Sequence, residues 1–459
     1  MEMSYRNLSY WHESVPGSLE PRESMGGDRR TDIVIVGAGY TGLWTAYYLK
    51  QRDPSLQISI LEANIAGFGA SGRNGGWCSG YLSGIDHWLN DPSQRESGIR
   101  LQRLMFKTVA DIGRVAEKES IDCHFDLSGA LEVAVIPAQL MRLQQELDHL
   151  HALGFGTDDY RWLDRDEMQS TLGIDRAMAA IHMKHCAAIH PSRLARGLAE
   201  TVESLGVRIY ENSAVTAIRA GQVRTANGTI KAETVLVATE GYSGTVAGRE
   251  RCLIPVHSMM VATEPLSDRQ IEGIGYQQRF CFGNIDRLVT YGQLTADRRI
   301  AFGCRGTYHF GSGIRSFSKD DPEFKQVADT LLRFFPSLNG IRFTHSWGGA
   351  MGVSRTLRPS VNFDREARFG WAGGYFGNGV GAAHLAGQTM ADLVLGHDSD
   401  RTHTPWVNPA DRGRKWEPEP FRWLGIKSRA KLMQWTDDAE YRSSPLSPVL
   451  GKTLERLFP

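Results

Sequence analysis

The sequence lacks several features that would assign it to a familiar class of protein. Its six cysteines (78, 123, 186, 252, 281 and 304) are scattered and form no C-x-x-C pair, which argues against a disulfide framework or a zinc site. No apolar run is long enough to span a bilayer, and the polar first 30 residues contain no secretory signal. Basic and acidic residues balance at 52 each, so no net charge attracts nucleic acid or an anionic membrane. These absences predict a soluble cytoplasmic protein.

The sequence also lacks the residue patterns of several catalytic classes. No serine–histidine–acid spacing, metal-ligand cluster or pair of catalytic carboxylates stands out. Such a chain is suited to chemistry in which a bound cofactor performs the difficult step while the protein binds and orients the reactants.

The most informative stretch that is present covers residues 32–42. Ile33 to Val36 form an unbroken apolar, β-branched run, as expected of a buried parallel strand. Gly37, Gly39 and Gly42 follow at G-x-G-x-x-G spacing, and the next residues can form a helix. In this motif the glycines permit a tight turn, the approach of a pyrophosphate and close packing of helix on strand. The stretch predicts a dinucleotide site that includes Tyr40 and Thr41 within the motif.

A second strand, Gln57 to Leu61, ends at Glu62 and Ala63. A carboxylate at this position can accept hydrogen bonds from both ribose hydroxyls and would repel an additional phosphate on that sugar. The strand–motif–helix–strand order therefore strengthens the prediction of a nucleotide cofactor without that phosphate.

Two further segments are rich in glycine. Six glycines lie between positions 67 and 80, and such a backbone suits wrapping around a ligand. The candidate ligand-binding residues there are Gly69, Ala70, Ser71, Gly72, Arg73, Asn74, Gly75 and Gly76. A second motif follows the predicted strand Phe369 to Ala372 and precedes a helical run, so that a helix N-terminus would face its ligand. Its candidate residues are Gly374, Gly377, Asn378, Gly379, Val380 and Gly381. An NAD-dependent dehydrogenase would not explain these two segments.

In this order, the motifs GAGYTG, LEA, GFGASGRNGG and GYFGNGVG resemble those of the FAD-dependent D-amino-acid oxidase (DAO) superfamily. The likeness covers about residues 4–398 and includes Ala188 to Pro191, Ser213 to Thr216 and Leu294 to Asp297. It implies an α/β fold with a Rossmann-like FAD-binding domain and an interleaved α+β substrate domain built on an antiparallel sheet.

The expected domain segments follow from the positions of these motifs. The FAD-binding domain is expected at 28–90, 187–245 and 346–398, and the substrate domain at 91–186 and 246–345. Residues 1–27 form an N-terminal segment and 399–459 a C-terminal extension.

The resemblance also implies roles for individual residues. Val215, Ala238 and Thr239 join the FAD site, and the residue matching Val215 offers its backbone to the adenine. FAD is expected to be held non-covalently, since Trp347 to Pro359 contains no cysteine where some relatives attach flavin. Candidate pocket residues are Tyr291, Trp347 and His257, with Tyr375, Phe376 and Arg305 as candidate substrate contacts. Each aromatic residue has core packing as an alternative role.

The favoured function is oxidation of an amine by FAD, with oxygen slightly preferred as the electron acceptor. The segments expected over the flavin, 255–264, 288–294 and 346–351, contain no lysine or arginine to neutralise a carboxylate. This favours an elongated or aromatic amine over a short amino acid. No lysine lies between Lys231 and Lys319 to attract superoxide, so the preference for oxygen is slight. Oxidation of glycine, sarcosine or a D-amino acid remains an alternative, as does a flavin-bound redox sensor, and the chain leaves the oligomeric state open.

Overall fold

A computed structural model describes residues 4–219 and 221–457, except for the side chain of Arg305. The strands are β1 (Arg29–Val36), β2 (Ile58–Leu61), β3 (Trp77–Ser79), β4 (Ala130–Ala134), β5 (Tyr160–Leu163), β6 (Ala179–Met183), β7 (Cys186–Ala188), β8 (Arg208–Tyr210), β9 (Val215–Arg219), β10 (Gln222–Thr225), β11 (Gly228–Val237), β12 (Leu253–Thr263), β13 (Cys281–Asn284), β14 (Thr290–Leu294), β15 (Ile300–Thr307), β16 (Phe343–Ser354), β17 (Ser360–Asp364) and β18 (Phe369–Gly373). The α-helices are α1 (Tyr10–Ser14), α2 (Tyr40–Arg52), α3 (Ala70–Arg73), α4 (Asp86–Leu89), α5 (Arg95–Lys118), α6 (Pro137–Ala152), α7 (Arg165–Thr171), α8 (Pro191–Ser204), α9 (Asp268–Gly273), α10 (Pro322–Phe334), α11 (Gly379–Leu395), α12 (Phe421–Tyr441) and α13 (Ser447–Leu457).

The chain divides into two units. The first comprises the chain up to Phe125 together with Ile189–Val256 and Gly349–Trp416. The second comprises Asp126–Ala188, His257–Gly348 and the chain from Glu417 onward.

The first unit is built on a sheet of order β17-β18-β11-β1-β2-β8, which β10 and β9 extend as hairpin strands beside β11. β1 pairs in parallel with β2 and β11, so that Val36 lies beside both Leu61 and Val237 at the end of the strand. Val34 and Val36 pack with Leu61 and Tyr210 in one apolar cluster of this unit. The sheet therefore brings the carboxyl ends of β1, β2 and β11 to one edge, where ligands of open α/β sheets bind.

The second unit is built on a sheet of order β16-β12-β15-β14-β13-β4-β6-β5. Neighbouring strands run antiparallel from β12 to β13 and from β4 to β5, whereas β13 and β4 are parallel. Helix α10 contributes Phe324, Val327 and Leu331 to the core on this sheet, where they pack with Phe282 and Phe302.

This architecture confirms the predicted fold class, a Rossmann-like domain with an antiparallel-sheet domain interleaved along the chain. Two local details of the first unit complete this description. Strand β11 runs without a break from Gly228 to Val237. The glycine-rich segment after position 67 contains a short helix, α3, and a short strand, β3.

The segment containing α5 lies in the first unit, whereas the sequence analysis grouped it with the substrate domain. Helix α5 buries Leu101, Met105, Val109 and Ile112, and it packs on α11 of the same unit. Beyond Trp416 the chain belongs to the second unit, where Arg287 forms ion pairs with Asp437 and Glu440 of the C-terminal region. Within the described residues, no helix is both long enough and apolar enough to cross a bilayer.

Candidate functional site

The turn between β1 and α2 has space only for glycine at two of its positions. Gly37 has a φ of +106°, and a Cβ added there would lie 2.6 Å from the carbonyl oxygen of Ala238. A Cβ at Gly42 would lie 2.0 Å from the carbonyl oxygen of Gly37. Both contacts are to backbone, which cannot move aside without displacing β11 or the turn itself. The turn is therefore closed tightly against Ala238 and Thr239.

Gly39, the remaining glycine of this turn, contacts the glycine-rich segment at residues 67–80. A Cβ at Gly39 would lie 2.9 Å from the Ser71 hydroxyl, and that hydroxyl accepts a hydrogen bond of 2.9 Å from the amide of Tyr40. Ser71 thus lies at the N-terminus of α2, where amide donors and the helix dipole favour an anionic group. The side chain of Tyr40 points elsewhere, because its hydroxyl donates to the carbonyl oxygen of Pro191 at 2.9 Å.

Glu62 lies at the carboxyl end of β2 beside this turn. Its carboxylate accepts hydrogen bonds from the amides of Ala38 at 2.9 Å and Asn64 at 3.0 Å, and burial raises the pKa of its carboxyl group. The amide of Ser213 donates to the carbonyl oxygen of Glu62 at 2.7 Å, two residues before β9 begins at Val215. A carboxylate has about four acceptor positions, so Glu62 retains capacity for the hydroxyls of a ribose.

The segment from Gly69 to Gly76 contains side chains of two kinds. The Asn74 amide donates to the carbonyl oxygens of Ala70 and Ser71 at 3.1 Å and accepts from the amide of Gly76 at 2.8 Å, so it holds the turn together. The Arg73 guanidinium donates to the hydroxyl of Tyr242 at 2.5 Å and lies 4.9 Å from the ring centre of Phe68. Asn74 therefore maintains this loop, and Arg73 places a positive charge in it.

The second glycine motif leads from β18 into α11. Gly373, Gly374 and Gly377 all have positive φ angles. The side chain of the N-cap residue, Asn378, does not cap the N-terminus of α11; its amide donates to the carbonyl oxygen of Tyr81 at 3.0 Å. The N-cap side chain therefore leaves the first amides of α11 available, and the helix dipole adds a partial positive charge at this end.

Tyr375 connects the two glycine motifs. It is buried, and its hydroxyl lies 3.0 Å from the Thr41 hydroxyl in the first turn of α2. Thr41 and Tyr375, a predicted cofactor residue and a predicted substrate residue, are therefore hydrogen-bonded within the first unit. The neighbouring Phe376 has a φ of +44°, and its carbonyl oxygen accepts from the Ser83 hydroxyl at 3.0 Å.

Glu240, which no sequence motif predicted, also holds the second glycine motif in place. Its carboxylate accepts hydrogen bonds from the amides of Gly374 at 2.8 Å and Tyr375 at 3.0 Å, and also from the amide of Gly352. Burial raises the pKa of this carboxyl group, and the residue has a φ of +42°. Its only local signal is an acidic residue three positions after the buried strand β11, and that signal does not reveal the distant amides that Glu240 binds.

The remaining candidate pocket residues belong to the second unit. The buried His257 accepts a hydrogen bond at Nε2 from the amide of Arg315 at 3.1 Å, and Tyr291 is hydrogen-bonded to the Ser258 hydroxyl. Trp347 is buried, and the side chain of Arg305 lies outside the described residues. Within the part of the chain that the structure describes, no group of histidine, cysteine and acidic residues is arranged to hold a metal ion.

Comparison with known proteins identifies the family. Residues 32–393 match the model of the family described as FAD dependent oxidoreductase (DAO). The chain belongs to this family. A relative, gamma-glutamylputrescine oxidoreductase of Escherichia coli K12, is 31% identical over 87% of this chain and 91% of its own length. This confirms the resemblance drawn from the motifs and makes the protein an FAD-dependent oxidoreductase.

Solved structures of other proteins share the fold. Glycine oxidase from Geobacillus kaustophilus superposes with a TM-score of 0.67 at 20% identity, covering 81% of this chain and 96% of that one. L-proline dehydrogenase from P. horikoshii gives a TM-score of 0.67 at 18% identity, covering 82% and 96%. These likenesses concern the fold alone.

The residues of the first unit fit FAD, the cofactor of this family. The turn at Gly37 and Gly42 admits no side chain, so the backbone is open to close approach of a pyrophosphate at the start of α2. Glu62 would use its spare acceptor capacity to hold a ribose, and the amides at the start of α11 would donate to the flavin ring. The other predicted cofactor residues belong to the same unit.

Proposed function

We propose that this enzyme oxidises an amine at the carbon next to nitrogen and releases an aldehyde after hydrolysis of the imine. Bound FAD supplies the chemistry by accepting a hydride from that carbon. The observation that carries the proposal is the 31% identity to gamma-glutamylputrescine oxidoreductase along nearly the whole chain. The protein's own contribution is to bind the amine in its neutral form and to aim its carbon–hydrogen bond.

Two observations favour an elongated or aromatic amine over a short amino acid. The segments 255–264, 288–294 and 346–351 contain no lysine or arginine, and a buried carboxylate without a cationic partner is strongly unfavourable. Arg315, whose backbone bonds His257, directs its guanidinium to Asp321 at 2.7 Å and Glu323 at 3.5 Å. That arginine is already neutralised and is a poor clamp for a substrate carboxylate.

We further propose substrate-binding roles for Tyr291, Trp347 and His257 of the second unit, and also for Tyr375, Phe376 and Arg305. Because Nε2 of His257 accepts a backbone hydrogen bond, the neutral ring carries its proton on Nδ1. The Tyr291 hydroxyl is held by Ser258, which orients its ring. Aromatic faces of this kind stabilise an amine or ammonium group without a formal negative charge.

For the electron acceptor we propose molecular oxygen. The stretch between Lys231 and Lys319 contains no lysine to attract superoxide. The positive charge would therefore come from the oxidised amine, or from His257 once it is protonated at Nε2 and has lost its hydrogen bond from the amide of Arg315. A dehydrogenase that passes its electrons to another acceptor is the alternative.

Stopped-flow spectroscopy with a panel of amines tests substrate and acceptor together. An elongated or aromatic amine is expected to bleach the flavin absorbance rapidly, and air should restore it within seconds with formation of peroxide. Rapid bleaching by glycine or D-alanine would refute the amine proposal, and bleached flavin that persists for minutes in air would refute the oxygen proposal. A protein that no amine or amino acid bleaches would instead be a redox sensor. A Gly39→Val variant, expected to lack FAD, is the matched control.

We also propose that FAD is held without a covalent bond, because residues 347–359 contain no cysteine. Acid precipitation should release the yellow colour into the supernatant. Colour that remains with the pellet would contradict this attachment.

A further inference from the structure

A pocket of about 470 Å³ opens on the first unit, and it is separate from the cofactor residues. It lies between the end of β9, the loop at residues 246–249 and the turn that joins β17 to β18. None of the described residues that line it belongs to the glycine motifs or to the strand ends around Glu62. Its volume lies within the range of sites that bind small molecules, about 300–1,000 Å³.

Arg249 is one of the polar residues that line this pocket. Its guanidinium carbon lies 5.3 Å from the ring centre of Trp371. Among the residues that the structure describes, none accepts a hydrogen bond from its Nε, which is shielded from solvent. Burial lowers the pKa of this guanidinium. A buried cationic donor without an acceptor is unfavourable unless something else fills that role.

The other lining residues add aromatic walls and positive charge. Phe369 lies beside Trp371, with ring centres 5.9 Å apart, and Phe363 forms a further wall. The lining contains three arginines, because Arg219 and Arg412 accompany Arg249, and one acidic residue, Asp364. The balance of charge among the lining residues therefore favours an anion, although the Asp364 carboxylate lines the same pocket.

The position of Asp364 limits its opposition to an anion. One of its oxygens accepts hydrogen bonds from the amides of Glu366 at 3.0 Å and Ala367 at 2.9 Å. These two donors partly neutralise the charge of the carboxylate and hold it to its own turn. Among the described residues, the Nε of Arg249 has no comparable partner.

We propose that this pocket binds a small organic anion made of a planar aromatic ring that carries one carboxylate or phosphate group. The ring packs on Trp371 and Phe369, and the anionic group accepts hydrogen bonds from Arg249. Arginine suits this role because its planar fork of donors matches both carboxylate and phosphate. The site is distinct from the residues assigned to FAD, and its occupant need not be the substrate.

Isothermal titration of the full-length, FAD-loaded protein tests the proposal with three probes. Indole-3-acetate provides an aromatic ring with a carboxylate, adenosine monophosphate an aromatic ring joined to a phosphate through ribose, and indole-3-acetamide the indole ring without charge. At least one anion is expected to bind, and the amide should bind about tenfold or more weakly than the carboxylate if the carboxylate is the preferred group. Preference for adenosine monophosphate would identify phosphate as the anionic group. No binding of either anion at millimolar concentration would overturn the proposal.

Variants locate the binding in this pocket. Arg249→Met and Trp371→Leu should each weaken the tighter-binding anion about tenfold or more, whereas Arg249→Lys should retain part of the affinity. Arg365→Met is the matched control, since Arg365 is exposed, lies in the β17–β18 turn and does not line the pocket. FAD absorbance and melting temperature establish that each variant is folded. If Arg249→Met does not fold, Trp371→Leu decides alone. Unchanged affinity in the folded variants would overturn the proposal.

Discussion

The first unit fixes its candidate cofactor positions through backbone contacts, whereas the candidate substrate residues of the second unit are side chains in and around a core. Positions 37 and 42 require glycine because a side chain at either one would clash with a backbone carbonyl oxygen. His257 and Trp347 are buried residues of a kind that many cores contain. A constraint on the backbone produces a recognisable spacing of glycines in the sequence. Packing in a core requires only a type of residue, which has no characteristic spacing. This difference explains why the cofactor is evident from motifs and the substrate is not.

The largest effect is expected for Gly42→Ala. Its new Cβ would lie 2.0 Å from the carbonyl oxygen of Gly37, so α2 must move away from the turn. We expect loss of bound FAD and a fall of at least about 2 kcal/mol in the free energy of unfolding. The measurements are flavin absorbance and chemical denaturation. Gly273→Ala in the second unit is the control, because nothing lies within 4 Å of its added Cβ. Retained FAD in Gly42→Ala would contradict the backbone argument.

A more selective effect is expected for Gly39→Val. The nearest atom to its added Cβ is the Ser71 hydroxyl at 2.9 Å, the end of a side chain that can rotate. The fold should therefore largely survive, while the bulk of valine blocks the approach of the pyrophosphate. We expect a folded protein by circular dichroism that is purified without FAD. Normal flavin content would show that the pyrophosphate does not lie at this turn.

The sequence predicted the fold and the cofactor motifs because each is a pattern of neighbouring residues. Strand β1, the turn at Gly37 and helix α2 follow directly from local periodicity and spacing. Glu240 could not be recognised in this way, since its role depends on amides more than 100 residues away at Gly352 and Gly374. The pairing of Thr41 with Tyr375 is equally remote in sequence. Long-range hydrogen bonds of this kind leave no periodic signal.

Glu240→Ala tests whether the loss of one side chain in the first unit lowers stability and FAD binding, as substitution of a glycine is expected to do. It removes the acceptor for the amides of Gly352, Gly374 and Tyr375. An unsatisfied buried donor is unfavourable by about 1–3 kcal/mol, so we expect lower stability and weaker FAD binding than in the parent protein. Chemical denaturation and a titration of apoprotein with FAD measure the two quantities. Unchanged values for both would contradict a positioning role.

Asp286 of the second unit provides the corresponding test of a buried carboxylate through pH. Burial, followed by the charge of Asp437, raises the pKa of Asp286 from 3.8 to about 6. A folded-state pKa above the unfolded value contributes stability below pH 4 that is lost as the pH rises through about 6. The loss is on the order of 2–3 kcal/mol, at 1.4 kcal/mol per pKa unit. Asp286→Asn should lack this fall in melting temperature, whereas exposed Asp148→Asn should retain it. Parallel profiles for the parent and Asp286→Asn would be inconsistent with the raised pKa.

The smallest effect is expected for Glu62→Gln, which changes one atom in the first unit. Both oxygens of Glu62 accept backbone hydrogen bonds, from Ala38 at 2.9 Å and Asn64 at 3.0 Å. Glutamine has one oxygen, so its amide nitrogen must face one of these donors or turn toward the ribose. Loss of a charge-assisted hydrogen bond should weaken FAD by about 1–2 kcal/mol, or roughly 5- to 30-fold in Kd. Titration of apoprotein with FAD measures this change, and Glu233→Gln, an exposed acid of the same unit on β11, serves as the control. Equal affinity in Glu62→Gln would mean that other groups hold the ribose. The sequence motif would then have predicted a contact with FAD that Glu62 does not make.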